Sequence, residues 1–454
     1  MTLLRYRIQS KITSLQFALR IFIAFMLVIA TTTPQGAIAA VNSADLPQLN
    51  YAAPSFERRD ALNDPKNRID SEFKVPARLK ERTAFWFDVY TRYGSNEHVI
   101  HHVLYPWIVF KVVDTTEIMN SDLPKWTKFA RAEKYVKTQM RVVRTALAHL
   151  SRKKRLDDLK SLTLLERSLL DKLSVLPGSI RNNLRTAAGN VRDQLGQKDF
   201  FVSGLIYSAS YLPIMEQEFA DAGLPTELTR LPFVESSFNV KAESKVGASG
   251  IWQVMPTTGR HFLMVNDVID ERNSPLKATL VAIELFKQNY RQFRNWSLAI
   301  TAYNHGGSGV AMATRRVHSD DIANVIDKYH AHSFKFASSN FFTCFLAALH
   351  AQKYHKEIFP HLLLENSDGL KYHVVSVERP VKISTVMKQL SISREDILIY
   401  NLDLRNTLRA NLPLPKGYKL ILPMSAKDEV IQAFRAKHRL VREASLRLRA
   451  KSAG

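Results

Sequence analysis

The stretch Glu235-Ser-Ser-Phe-Asn239, followed by Gly247-Ala-Ser-Gly-Ile-Trp-Gln-Val-Met-Pro-Thr-Thr-Gly259, decides how this chain is read. It sets one carboxylate at the end of a helical pattern. A turn of small residues comes next, then a run of aromatic, amide and thioether side chains. Pro225 suits a first helical position. Leu224, Leu228, Leu231 and Glu235 fall at i, i+4, i+7 and i+11, one face of a 3.6-residue period. The spacing predicts a helix over 225–236 whose apolar stripe Glu235 continues. Pro232 works against an unbroken helix, because its ring clashes with the preceding turn. On the stripe, desolvation raises the carboxyl pKa and keeps a proton available near neutral pH, as a general acid requires. The same pattern leaves open a solvated helix end, with Glu235 an ordinary surface acid.

A third motif, Ala302-Tyr-Asn-His-Gly306, follows downstream. Together with Glu235-Ser-Ser-Phe-Asn, Ser244 and Gly247-Ala-Ser-Gly-Ile-Trp-Gln-Val-Met-Pro, it resembles the lytic transglycosylases of the soluble-lytic-transglycosylase superfamily. The match is nearest to the membrane-bound lytic transglycosylase D group and spans roughly residues 200 to 350. Three separated motifs in the right order are far more specific than one short pattern.

The resemblance implies a lysozyme-like fold and an enzyme with no cofactor and no metal. It makes Glu235 the catalytic acid/base and Ser244 a hydroxyl that positions the substrate or intermediate. Gln253 and Met255 become cleft residues contacting sugars, while Tyr303 and Asn304 close the other wall. Gly247 and Gly250 let the backbone turn tightly beside the sugar. After Asn304 the chain reads His305-Gly-Gly-Ser-Gly309, where close relatives often carry a longer polar side chain, which leaves subsite preference open.

Ordinary glycoside hydrolysis uses two carboxyl groups; the lytic reaction implied by the resemblance uses one. Protonated Glu235 would protonate the oxygen bridging N-acetylmuramic acid and N-acetylglucosamine, and the muramic 2-acetamido group would stabilise C1. The Glu235 carboxylate would then take the C6 hydroxyl proton as a 1,6-anhydro ring closes. A hydrolytic muramidase of the goose-type lysozyme kind would instead need a second acid to activate water. Glu243, Asp267, Asp270 and Glu271 are the nearest in sequence, and they read better as loop and helix-start charges, with Ser274-Pro275 opening the next helix. A non-catalytic peptidoglycan-binding scaffold is the third reading, and the intact motif around Glu235 weighs against it.

A chain of 454 residues is long enough for several domains. Residues 1–39 read as an export signal: Arg5, Arg7, Lys11 and Arg20 are basic, 21–30 is apolar, and Ala37-Ile-Ala39 suits signal peptidase. With no cysteine after the signal, the expectation is an exported protein of the periplasm or cell envelope, not a lipoprotein. The single cysteine, Cys344, rules out an intramolecular disulfide and reads as a buried thiol on a core helix. His101-His102 and His330-Ala-His332 match no metal-site spacing. The formal charge of +22 suits anionic partners. An export signal and the lack of a nucleic-acid-binding motif point away from DNA or RNA. Peptidoglycan strands with their acidic stems, and the anionic membrane surface, remain.

The expected architecture is mainly α. A linker at 40–75 precedes a helical N-terminal region at 76–199 and a lysozyme-like domain at 200–355. Residues 371–424 then read as a small α+β module in β-α-α-β order: Tyr372-His-Val-Val-Ser376, helices at 383–390 and 394–400, and Leu420-Ile-Leu-Pro423. This order, with Asn401 after the second helix, resembles a LysM domain, although Glu378-Arg-Pro-Val-Lys-Ile383 replaces the usual Gly-Asp-Thr-Leu. Residues 425–454 read as a basic helical tail, with Val430, Phe434, Val441 and Leu448 on a loose apolar face.

Overall fold

The computed structural model describes residues 57–364, 370–424 and 440–443. The export signal expected at 1–39 lies outside the described residues, as do the first part of the linker and most of the basic tail.

What is described of 57–75 is not a loose linker. Ala61, Leu62, Ile69 and Phe73 are buried, and the strap ties itself down at both ends. Asp64 accepts from the backbone of Arg68 and Ile69 and from the Tyr354 hydroxyl, while Arg68 grips Glu357 at 2.6 Å. Four scattered apolar side chains carry no period, which is why the polar composition masked them.

Helix α1 (Lys80–Thr91) is buried nearly all round and shares one core with the downstream helices, through Phe85, Trp86, Phe87, Val89 and Tyr90. The helical expectation for 76–199 needs correcting beyond that point. Strands β1 (Glu97–His102), β2 (Val109–Asp114) and β3 (Val191–Leu195) form an antiparallel sheet in the order β2-β1-β3. Between β2 and β3 run α2 (Thr116–Asn120), α3 (Lys125–Arg152), α4 (Leu164–Ser174) and α5 (Ile180–Gly189). Sheet and helices enclose a core of their own, with Ile100, Val143, Leu147, Leu169 and Leu184 at its centre. The strands are short, and His98, His101 and His102 break up the apolar run in β1, so no alternation announces it. His101 and His102 serve the fold. His101 lies between the rings of Phe85 and Phe336, and His102 Nδ1 accepts from the Leu104 and Tyr105 N–H groups.

The helices that follow are α6 (Lys198–Ser208), α7 (Leu212–Asp221), α8 (Leu231–Glu235), α9 (Pro256–Phe262), α10 (Pro275–Phe293), α11 (Trp296–His305), α12 (Gly307–Val317), α13 (Ile322–Lys328), α14 (Phe336–Lys353) and α15 (His355–Ile358). No strand falls between 200 and 355. Helix α14 is the axis of this domain, buried almost throughout and packed on α1, α8 and α11. Cys344 sits inside it, with the thiol pKa pushed well up by burial. Ser274 caps α10 by accepting from the Lys277 N–H, as its position predicts, and Asn295 caps α11.

The C-terminal module has the expected β-α-α-β order, with additions. Strand β4 (Tyr372–Val377) pairs antiparallel with β7 (Lys419–Pro423). Between them lie β5 (Val381–Lys382), α16 (Ile383–Leu390), α17 (Arg394–Tyr400), α18 (Arg405–Ala410) and β6 (Pro413–Leu414). Asn401 pins the second helix to the last strand: its amide donates to Ile421 O at 2.6 Å and its carbonyl accepts from Ile421 N at 2.9 Å. The helical pattern read across the tail does not hold at 440–443. Strand β8 (Leu440–Glu443) is extended and pairs with the free edge of β4, where a ladder of backbone groups is available.

Candidate active site

Glu235 ends α8, the last of two short helical pieces rather than one long helix. Thr226–Arg230 is a 3₁₀ turn, and α8 begins at Leu231 with Pro232 in its first turn. Pro232 therefore starts a new helix instead of kinking an old one, which is where a missing N–H does least harm. Leu228 and Leu231 are buried as the stripe predicts.

Behind the acid the backbone doubles back. Ser237 and Phe238 both have positive φ, 50° and 55°, a conformation unusual for residues with a Cβ. Phe238 is fully buried edge-on against Phe233, and the Phe238 N–H bonds Pro232 O at 3.1 Å, so packing holds the turn. Gly204 of α6 is what lets the chain pass: a Cβ there would lie 2.8 Å from Ser237 O.

Glu235 keeps some solvent contact as a residue, but its Oε2 is shut off from solvent and has no hydrogen-bond partner among the described residues. The charge resides on those oxygens, so atomic burial decides. Desolvation raises the carboxyl pKa to about 8, and no neighbouring charge adds to the shift. Burial raises the pKa of two hydroxyls, Tyr303 from α11 and Tyr90 from α1, and the Glu235 carboxyl adds a lesser push in the same direction. Tyr90 also bonds the Cys344 thiol. Sequence reasoning missed Tyr90: it lies in the aromatic stretch at 84–93, nearly 150 residues before the acid, and nothing local links the two.

The loop 244–254 is tied to the residues around Glu235. Ser236 Oγ, beside the acid, donates to Ile251 O at 2.9 Å, and the Tyr303 hydroxyl donates to Trp252 O at 2.9 Å. Trp252 is fully buried, stacked on Phe219, with its indole N–H on Thr279 Oγ1 at 2.9 Å. Tyr303 stacks on Phe286. Gly250 has φ +75°, and a Cβ there would meet Arg272 O at 2.0 Å. Its importance comes from protein backbone pressing on it.

The structure thus places Tyr303 near enough to Glu235 for the carboxyl's charge to reach its hydroxyl. Gln253 sits on the same loop in the left-handed region, φ 46°, and its amide donates to Gly250 O and Ala242 O. Ser244 is buried, and its Oγ accepts the Ala248 N–H at 2.8 Å, which closes the small-residue turn. Met255 stands at the N-cap of α9. Asn304 Oδ1 accepts from Ser338 Oγ at 3.5 Å, the outer edge of hydrogen-bond distance, and His305 Nδ1 also bonds that hydroxyl. The other acids are committed elsewhere or exposed. Asp270 pairs with Arg272, Glu271 is buried on Lys277, and Glu243 and Asp267 are exposed.

This segment matches a known family over residues 213–326, described as the transglycosylase SLT domain. The match takes in Glu235, the 244–254 loop and Tyr303 alike. Among curated proteins, the chain is 30% identical over 123 residues to membrane-bound lytic murein transglycosylase D of Escherichia coli (strain K12), covering 27% of each chain. The same protein of Escherichia coli O6:H1 gives the same figures. A protein of Alteromonas sp. (strain M-1) named for tributyltin chloride resistance is 31% identical over 109 residues, 24% of this chain and 53% of the relative. The likeness to the murein transglycosylases thus spans about a quarter of their length.

Proposed function

We propose that this protein is a peptidoglycan lytic transglycosylase of the cell envelope. It cleaves the β-1,4 bond between N-acetylmuramic acid and N-acetylglucosamine and leaves 1,6-anhydromuramic ends. The observation that carries the reading is the isolation of Glu235. Burial alone holds its proton to about pH 8, so it can protonate a glycosidic oxygen at neutral pH. A water-activating pair would place a second carboxyl about 6.5 to 9.5 Å away and a retaining pair about 5 Å away, and a charge beside a buried acid would add to the shift; among the described residues none does. One group acting first as acid and then as base, with the C6 hydroxyl as internal nucleophile, fits that geometry.

In this reading the buried Tyr303 and Tyr90 help keep the carboxyl in a dry pocket. The left-handed loop at Gln253 and the half-buried Met255 offer an amide and a thioether to the sugars, with Ser244 and Asn304 beside them. The C-terminal module is read as a degenerate LysM domain, supported by its strand and helix order and by the Asn401 clamp. A strongly basic exported enzyme would meet peptidoglycan stems and anionic lipid head groups as natural partners. The test is Glu235→Gln, which should abolish release of soluble fragments from purified peptidoglycan while the protein still pellets with the insoluble polymer. Substantial residual turnover would remove Glu235 from the role.

A further inference from the structure

The segment 263–277 has one face on the candidate site and the other on the C-terminal module. Toward the site, Arg272 Nη1 donates to Gly247 O at 2.6 Å and Val254 O at 3.0 Å. Asn273 Oδ1 accepts from Ser249 Oγ at 2.8 Å. Toward the module, Met264 and Ile269 are buried in its core, Thr407 Oγ1 donates to Val268 O at 3.2 Å, and Leu276 packs with Val374 and Ile421. A charged cluster lies between the two faces. Lys277 Nζ is 3.1 Å from Glu271 Oε1 and 2.9 Å from Asp403 Oδ2, all three side chains being at most 5% exposed. Tyr418 donates to Asp403 Oδ2 at 2.7 Å, and Lys277 Nζ lies 3.7 Å from the centre of its ring. Glu271 Oε2 in turn accepts the Met264 N–H at 2.7 Å.

Stability alone does not account for this cluster. Burying such charges is costly, Asp403 Oδ1 has no partner among the described residues, and apolar groups of similar volume often serve as well. Charged hydrogen bonds add direction, which apolar packing lacks. We propose that Asp403 is a positioning residue for the Glu235 site. Held in the C-terminal module, it orients Lys277, which orients Glu271 and with it the 271–273 turn that grips the 247–254 loop. The module is then a fixed buttress of the SLT domain, whatever glycan it binds. The activity readout rests on the proposed transglycosylase function; the loop readout does not.

The test uses the full-length protein carrying Asp403→Asn, which keeps the shape and removes the charge. kcat for peptidoglycan cleavage should fall about tenfold, as small misplacements do, with KM unchanged and faster amide exchange across 244–254. A second variant, Glu271→Gln/Lys277→Met/Asp403→Leu, removes all three charges together. It should melt near the wild-type temperature yet keep the low kcat. Wild-type kcat in either folded variant would show that the cluster only holds the fold, and would overturn the proposal. If the wild-type protein itself released no product, the transglycosylase reading would fail. Exchange across 244–254 would still decide the buttress: loosening by Asp403→Asn sustains it, and unchanged protection overturns it.

Discussion

The Tyr303 hydroxyl donates a 2.9 Å hydrogen bond to the carbonyl of Trp252, joining α11 to the loop opposite Glu235. That bond holds α11 at a fixed distance from the loop, because Trp252 is itself locked by Thr279 and Phe219. Tyr303→Phe keeps the stack on Phe286 and deletes only the hydroxyl. The expected cost is about 1 kcal/mol of stability, with a larger loss in kcat than in substrate binding. Equal losses in both would mean that Tyr303 contributes to sugar binding rather than to the acid's setting.

The pKa of Glu235 makes a prediction about stability. An unfolded glutamate ionises near 4.5, whereas the folded one holds its proton to about 8. Across that window the native state binds more protons than the unfolded state, so this group's contribution falls as pH rises from 4.5 to 8. Glu235→Gln carries no such penalty. Its stability advantage over wild type should grow through the window and reach an order of 2 kcal/mol or more at its top. Chemical denaturation at pH 5 and pH 8 checks this, and a difference that did not change with pH would contradict the buried, protonated carboxyl.

Catalysis should follow the same proton. The rate of chain cleavage is expected to be flat through neutral pH and to decline above about 8, where Glu235 ionises in the free enzyme. A pH profile of kcat/KM that instead fell above about 5 would indicate an ordinary exposed acid.

Gly250 is the loop's least replaceable residue. Its φ of +75° disfavours a side chain, and a Cβ would stand 2.0 Å from Arg272 O. Gly250→Ala should cost more than about 2 kcal/mol, or leave no folded protein. Gly223 has φ +70° but nothing within 4 Å of its would-be Cβ. Gly223→Ala is therefore the matched control, and thermal unfolding should show the smaller loss there.

Glu243 provides the opposite kind of test. It is exposed, and its charge does not figure in the Glu235 shift. Glu243→Gln should leave cleavage within about twofold of wild type, in keeping with substitutions at exposed positions. A loss of a hundredfold would restore the two-carboxylate, water-activating reading.

Much of the site was legible because its signals are local. Leu228 and Leu231 show the stripe that Glu235 continues, Gly250 marks the tight turn, and Ser274-Pro275 announces a helix start. The C-terminal strand and helix order was legible for the same reason. What escaped the sequence depends on distant partners. Tyr90 comes within electrostatic range of Glu235 only because α1 packs into the same core, and Asp403 meets Lys277 across 126 residues. The β1–β3 sheet escaped because its strands are short and one carries three histidines. Phe73 and its neighbours in the strap escaped because isolated apolar side chains look like linker until the groove they fill is known. Roles that the resemblance gave to Ser244 and Gln253 meet a physical complication: both polar groups already bond the loop's own backbone.

The most direct measurement is mass spectrometry of the muropeptides that the full-length protein releases from purified peptidoglycan. The account predicts non-reducing fragments ending in 1,6-anhydromuramic acid, absent from a parallel digest with Glu235→Gln. Fragments with reducing muramic ends would mean that water is the nucleophile, and would contradict the single-carboxylate mechanism.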